Sequence, residues 1–269
     1  MNRVAFFDSG IGGLNVLRDA LKMLPDEDYI YYADSENTPY GVKPKKEVRR
    51  LVSQAVEFLY SRGIKALVVA CNTATSVAIE DLREKYTLPV IGMEPAVKPA
   101  LEAACGKKVL VAATPLTLKE DKLLRLINRL GQAQTVDFLP LPELVDFAEA
   151  GVFDGPDVTD YLKASFSTYR MEDYSSLVLG CTHFCSFRDE ISKILPKDIC
   201  IVDGNIGTVR YLKRVLEEKN LTGGGSGKVE YFVSGRKADE KEKTQFERIL
   251  GLPHPDLSGL LPASVPALR

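Results

Sequence analysis

The chain has 269 residues, 45% of them hydrophobic and 27% charged, with a formal net charge of −2. These totals describe an ordinary globular protein of one large or two small domains and argue against a nucleic-acid or other polyanion binder. No apolar run reaches the roughly 20 residues of a membrane span, and no basic run is interleaved with aromatics.

In chain order, Arg3 to Phe7 reads as a strand that ends in Asp8-Ser9-Gly10-Ile11-Gly12-Gly13. This first stretch runs at once into a charged turn, so it reads as a strand and not as a signal peptide, and the expected compartment is the cytoplasm. A helix follows from about Leu14 to Leu24, with Leu14, Leu17, Leu21 and Leu24 on one face. Tyr29 to Ala33 is a second strand, and the polar loop Ser35 to Gly41 follows it. Lys45 to Arg62 is an amphipathic helix stopped by Gly63. The apolar run Ala66 to Ala70 leads into Cys71-Asn72-Thr73-Ala74-Thr75, and a helix runs on to Lys85. Pro89 to Met93 is a strand ending at Glu94-Pro95. Alternating strands and helices of this kind build a parallel sheet covered on both faces.

The pattern then starts again. Lys108 to Ala113 is a strand, followed by Thr114 and a helix to about Leu130. Thr135 to Leu139 is a strand, and Glu143 to Ala150 and Val158 to Tyr169 are helical. Ser176 to Gly180 is a strand that runs into Cys181-Thr182-His183-Phe184. Cys200 to Val202 is a strand ending in Asp203-Gly204. Asp8 precedes Cys71 by 63 residues and Thr114 precedes Cys181 by 67, so the chain reads as two copies of one unit. Gly207 to Lys219 is a helix, Val229 to Val233 a last strand and Glu240 to Leu250 a last helix. The tail from Pro253 carries His254 and little pattern. This terminal part is expected to return to the first lobe, giving lobes of 1–96 with 211–269 and of 97–210.

Both Cys71 and Cys181 stand just past a strand, at the sheet edge where open α/β folds bind ligands. Small polar residues follow each, suited to open a helix whose positive end favours a thiolate. A single cysteine after a buried strand is more often core. Two at matching places in a repeat suit a specific reaction, in which one thiol removes a proton from a stereocentre and the other returns one from the far side. A thiol with an ordinary pKa of about 8.5 can serve as acid or base. Asp8 is a candidate partner of Cys71, and His183 of Cys181. The other cysteines, Cys105, Cys185 and Cys200, complete an odd set of five, which points to buried or reactive thiols more than to disulfides. The spacing of Cys181, His183 and Cys185 does not suit zinc, no metal is expected, and Cys185 reads as core. Asp8 to Gly13 partly matches a dinucleotide loop, but Asn15 stands where that fingerprint puts its third glycine. The same glycines let backbone amides approach a small carboxylate. With Thr38, Tyr40, Asn72, Thr73, Thr114 and Thr182 they form an uncharged donor set for a zwitterion with two carboxylates.

Asp8 to Gly13, Pro39-Tyr40-Gly41, Cys71 to Thr75 and Gly180 to Phe184 resemble the motifs of the bacterial glutamate racemases, as do Val202 to Asn205 and Tyr231 to Gly235. The resemblance implies two flavodoxin-like (Rossmann-like) α/β lobes related by a pseudo-two-fold, with the site in the cleft between them. It implies a racemase of glutamate that needs no cofactor, forms a homodimer and supplies D-glutamate for peptidoglycan. By position, Cys71 resembles the base for the D-enantiomer and Cys181 the base for the L-enantiomer, helped by Asp8 and by His183, with Glu149 assisting the histidine. Asp8, Ser9, Tyr40, Gly41, Asn72, Thr73, Thr114, Thr182 and His183 match substrate contacts. The competing readings are a racemase of aspartate or another amino acid, a two-lobed amino-acid-binding protein and a thiol hydrolase.

Overall fold

A computed structural model describes residues 3–93 and 96–251. Glu94-Pro95, His254 and the tail from Pro253 lie outside the described residues. The elements are β1 (Arg3–Asp8), α1 (Leu14–Met23), β2 (Asp28–Ala33), α2 (Lys45–Tyr60), β3 (Ile64–Val69), α3 (Asn72–Lys85), β4 (Val90–Gly92) and α4 (Val97–Glu102). They continue as β5 (Lys108–Ala113), α5 (Pro115–Lys119), α6 (Asp121–Arg129), β6 (Val136–Pro140), α7 (Glu143–Glu149), α8 (Pro156–Phe166), β7 (Tyr174–Leu179) and α9 (Arg188–Ile194). The last are β8 (Cys200–Asp203), α10 (Asn205–Glu218), β9 (Val229–Val233), β10 (Arg236–Lys237) and α11 (Glu240–Leu250).

Two sheets result. The first has the order β10-β9-β2-β1-β3-β4 and the second β6-β5-β7-β8. All pairs are parallel except β10 with β9. The run β2-β1-β3-β4 in the first sheet has the same layout as β6-β5-β7-β8 in the second. Even the irregularity repeats: β1 shifts register against β3 at Arg3/Val4, and β5 against β7 at Lys108/Val109. The repeat seen in the spacing of loops and cysteines is therefore a repeat of topology. In each sheet the chain leaves the first strand on one side and returns on the other. The switch points lie between β1 and β3 and between β5 and β7, which is where such sheets open a crevice for ligands.

Alternation along the strands explains the layering. Val4 and Phe6 of β1 join one core and Ala5 and Phe7 another, on the opposite face. The second of these lies under α2 and α3. The first is continuous from the first sheet, through α1, α10 and α11, to Leu110, Ala112, Leu177 and Leu179 of the second. A third core lies on the far face of the second sheet with α4 and α6. The helix expected after Thr114 is two helices that break at Glu120, whose carboxylate reaches across to Lys45 at 2.6 Å. Gly63 ends the turn after α2 with φ +67°, a conformation that costs glycine little.

β9 pairs with β2 from Tyr29↔Val229 to Ala33↔Val233, so the chain closes its first sheet with one of its last strands. A buried ion pair secures this return. Lys65 at the start of β3 meets Glu27 at 2.5 Å, with both side chains under 5% exposed. Both also bind the loop before β9: Lys65 Nζ donates to the Gly223 carbonyl at 3.0 Å, and the Gly223 N–H donates to Glu27 at 2.6 Å. Breaking such a pair from one side strands the other charge. Lys65→Met is expected to lower unfolding stability by about 3–5 kcal/mol, and Glu27→Leu with Lys65→Met by clearly less. Urea denaturation of the two variants checks this.

Candidate active site

Four loops at the carboxyl ends of β1, β3, β5 and β7 form the site, and they meet across the two sheets in crossed pairs. The β1 loop faces the β7 loop, where Thr182 Oγ1 donates to Asp8 Oδ2 at 3.1 Å. The β3 loop faces the β5 loop, where Thr73 Oγ1 lies 3.0 Å from Thr114 Oγ1 and 3.1 Å from Thr117 Oγ1. This is one contact made twice, as a pseudo-two-fold requires. Asp8, Ser9, Tyr40, Cys71, Asn72, Thr73, Thr114, Cys181, Thr182 and His183 are all buried, as is Gly41, and Glu149 is half-buried.

The β1 loop needs its glycines because the other wall comes so close. A Cβ on Gly10 would stand 1.8 Å from Glu149 Oε1, and one on Gly12 would stand 2.6 Å from the His183 backbone nitrogen. Any side chain at either position would push the walls apart. Gly41 is pressed in the same way against Thr114, whose Cβ would lie 2.3 Å from an added one.

The two thiols are held differently. Cys71 is the N-cap of α3, and its sulfur accepts from the Ala74 N–H at 3.4 Å and meets Ser9 Oγ at 3.4 Å. These bonds favour the thiolate, as a helix opening should. They are outweighed: burial, then the nearby Asp8 charge, push the Cys71 thiol up to about 12, and the nearby Cys181 adds to this. The thiolate expected at this helix end is therefore a thiol. Asp8 acts on Cys71 through its charge, while its oxygens accept from Gly10 N–H at 3.0 Å and from Thr182.

Cys181 opens a 3-10 helix, Thr182–Phe187, without capping it. Its sulfur lies 3.8 Å from His183 Nδ1. His183 Nε2 lies 2.6 Å from Glu149 Oε1, and that oxygen also accepts from the Ile11 N–H at 2.8 Å. Burial works against a charged His183, but the hydrogen bonds to Cys181 and Glu149 outweigh it and raise its pKa well above the ordinary value. Glu149 thus orients the imidazole, supports its charge and ties the β1 loop to α7.

The Tyr40 hydroxyl donates to Asp34 Oδ2 at 2.5 Å, and Ser234 donates to Asp34 Oδ1 at 2.9 Å. That hydroxyl is committed to Asp34. Asn72 Oδ1 and Thr38 Oγ1 are buried and have no hydrogen-bond partner among the described residues. Cys185 is half-buried, accepts from Asn205 Nδ2 at 3.6 Å, and packs beside the first core. Cys105 and Cys200 are exposed. No group of three or more histidine, cysteine, aspartate or glutamate side chains among the described residues could hold a metal ion, and no described helix is long and apolar enough to cross a membrane.

Three contributors are not picked out as site residues by the sequence reading. Thr117, fully buried, completes the threonine cluster, and its i, i+3 spacing from Thr114 is the available signal. Tyr31 donates its buried hydroxyl to the Gly10 carbonyl at 2.7 Å and so fixes the β1 loop. Asn15 in α1 donates to the Thr182 carbonyl at 3.1 Å. Only the folded chain brings these together.

Comparison with known proteins gives one consistent result. The family model for Asp/Glu/hydantoin racemases matches residues 14–212. A glutamate racemase of Halothermothrix orenii is 54% identical over 250 residues, covering 92% of this chain and 98% of that protein. The crystal structure of a glutamate racemase isoform from Bacillus anthracis superposes with a TM-score of 0.83 at 30% identity, covering 94% and 95% of the two chains. That of Escherichia coli glutamate racemase, in complex with L-glutamate and the activator UDP-MurNAc-Ala, gives 0.80 at 31% identity over 93% and 94%.

Asp8 gives the site a pH signature. Burial lifts its carboxyl from 3.8 to about 6, against the pull of His183, Gly10 and Thr182. The folded chain then holds this proton more tightly than the unfolded chain, so the stability it contributes is complete below pH 3.8 and is lost as pH rises through about 6. At about 1.4 kcal/mol per pH unit, the loss is about 3 kcal/mol. Asp8→Asn, which cannot acquire the buried charge, is expected to be more stable than the unmodified protein at pH 8 by up to about that amount. The two should be nearly equal at pH 4. Urea denaturation at both pH values tests this, and equal stability at pH 8 would show that the charge is fully compensated.

Proposed function

The chain belongs to the Asp/Glu/hydantoin racemase family and interconverts the enantiomers of glutamate, and we propose that Cys71 and Cys181 are its paired acid–base groups, working from opposite sides of the substrate α-carbon. The observation that carries this reading is the unequal charge support of the two thiols. His183, held charged by its hydrogen bonds to Cys181 and Glu149, is a ready counter-ion for a Cys181 thiolate. Cys71, pushed up by burial and Asp8, keeps its proton.

With L-glutamate bound, the Cys181 sulfur takes the α-proton and Cys71 delivers its own to the opposite face, giving D-glutamate. From D-glutamate the roles reverse: Cys71 must first give up its proton, and Asp8, with a pKa of about 6, is the nearby carboxylate that can accept it, which also removes the charge that opposes the thiolate. Ser9, Gly41, Asn72, Thr73, Thr114, Thr182 and the backbone of Tyr40 supply donors to the two carboxylates. Asn72 Oδ1, buried and unpartnered, is an acceptor suited to the substrate ammonium. The uncharged donors leave the substrate's two carboxylates to be met by dipoles fixed in place, which is where such sites gain most. The relatives named above all carry the glutamate activity, so a racemase of aspartate, a binding protein and a hydrolase are not favoured.

Two lobes, 1–96 with 211–269 and 97–210, are the proposed division; the membership of β9 in the first sheet supports it, and α10 spans the boundary at residue 210. We further propose a cytoplasmic homodimer that supplies D-glutamate for peptidoglycan. Sedimentation equilibrium should return about twice the 29.7 kDa chain mass.

Because a thiol carries a single proton, the proton delivered is not the one removed. L-Glutamate converted in D2O with no added cofactor should therefore yield D-glutamate deuterated at the α-carbon from the first turnovers, as read by proton NMR and chiral chromatography. Cys71→Ser and Cys181→Ser should each slow racemisation by about 10²–10⁴-fold. Full activity in either variant would remove that thiol from the mechanism.

A further inference from the structure

We propose that Asn15 is a positioning residue that sets the Cys181 wall of the site from the opposite lobe, an inference that rests on Cys181 being an acid–base thiol. The two walls have unequal means of holding themselves. Cys71 is fixed by its own helix, where the sulfur caps Ala74, and by its neighbour in space, Ser9. Cys181 begins a 3-10 turn in which its side chain caps nothing, and its contact to His183 is 3.8 Å, long even for sulfur. The Cys181 wall must be located by something outside the turn.

Asn15 is placed to do this. It lies in the first turn of α1 and is 2% exposed. Its amide nitrogen donates to the Gly12 carbonyl at 3.2 Å, to the Thr182 carbonyl at 3.1 Å and to Ser186 Oγ at 3.1 Å. Its oxygen accepts from Arg18 at 3.0 Å, which fixes which way the amide faces. The Thr182 carbonyl belongs to the peptide that joins Thr182, the residue after Cys181, to His183. One planar amide therefore joins the turn of the glycine loop to the backbone link between the thiol and its imidazole. Glu149 holds the far nitrogen of that imidazole. Asn15 and Glu149 grip the two ends of the Cys181–His183 unit, and the hydrogen bonds of Cys71 run instead to Ser9 and Ala74.

Removing the amide frees the Thr182 carbonyl and loosens the Cys181–His183 geometry while Cys71 keeps its bonds. Asn15→Ala is expected to lower kcat/KM about 10–100-fold, the usual scale for displacing a reacting group by about an ångström. The fall must be equal for both enantiomers, since the equilibrium between mirror-image substrates is unity. Isotope effects separate the walls. Slower transfer at Cys181 should raise the α-deuterium effect on L-glutamate. It should lower that on D-glutamate toward unity and raise the solvent effect in that direction, where Cys181 delivers the proton. A mirrored pattern would still support a single-wall role and would exchange which enantiomer each wall serves. Unchanged isotope effects beside a lower rate would mean general loosening and would overturn the proposal. If Asn15→Ala does not fold, Asn15→Ser, which keeps one donor, is read in the same way. Cys181→Ser distinguishes the two levels of failure. Full racemisation by that variant would remove the thiol reading and this proposal with it, whereas its inactivity beside unchanged isotope effects in the Asn15 variant would remove this proposal alone.

Discussion

The two sheets meet where neither side has room for a side chain. Glu149 and His183 occupy the space that a Cβ on Gly10 or Gly12 would need, and Thr114 does the same beside Gly41. Contact at backbone distance lets a carboxylate on α7 accept from the Ile11 amide and lets Thr182 reach Asp8. The close approach excludes water, and the exclusion sets the charges. Buried together, Cys71 keeps its proton and Asp8 keeps its own up to about pH 6, above the range in which water would strip it, while His183 keeps the charge its partners support. The lack of a side chain in two loops thus controls the protonation of groups elsewhere.

Those protonation states divide the labour that the site's near-symmetry would otherwise leave equal. The crossed loop contacts repeat, yet the groups at equivalent places differ. One thiol caps an α-helix and sits beside a carboxylate, and the other opens a 3-10 turn and sits beside an imidazole. A reaction between mirror images needs two faces. It does not need two identical ones, since a single pH cannot suit a resting base and a resting acid of the same chemistry. Different surroundings allow one thiol to rest with its proton while the other has a cation at hand.

Much of this was legible in the residues. The fully apolar run of β3, the valine and alanine of β5 and the glycine after α2 mark local structure because their signals are local: burial on both faces, and a backbone conformation only glycine takes easily. The loops with Asp8, Cys71 and Cys181 could be placed at sheet edges by the same logic. The short helix Val97–Glu102, the break at Glu120 and helix α9 were not seen, because a proline within one, a cross-lobe ion pair at another and a preceding 3-10 turn decide them. Asn15 and Tyr31 were equally hidden. Each looks like an ordinary residue of a helix or strand, and its meaning comes from a loop far away in sequence. The thiolate expectation at Cys71 shows the same limit: a helix end can be read from the sequence, but the depth of burial that outweighs it cannot.

The strand β9 has a consequence for synthesis. The second sheet draws its strands from residues 108 to 203, one continuous stretch that is complete well before the chain ends. The first sheet has four strands by residue 92 but receives β9 and β10 only after residue 228. While the chain is being made, β2 is therefore an open edge, with unpaired amides and carbonyls and a hydrophobic face awaiting α11. The lobe begun first is finished last. A ribosome pausing in the second half would hold that edge exposed, so the interval between residue 92 and residue 229 is when the nascent chain most needs protection from its neighbours.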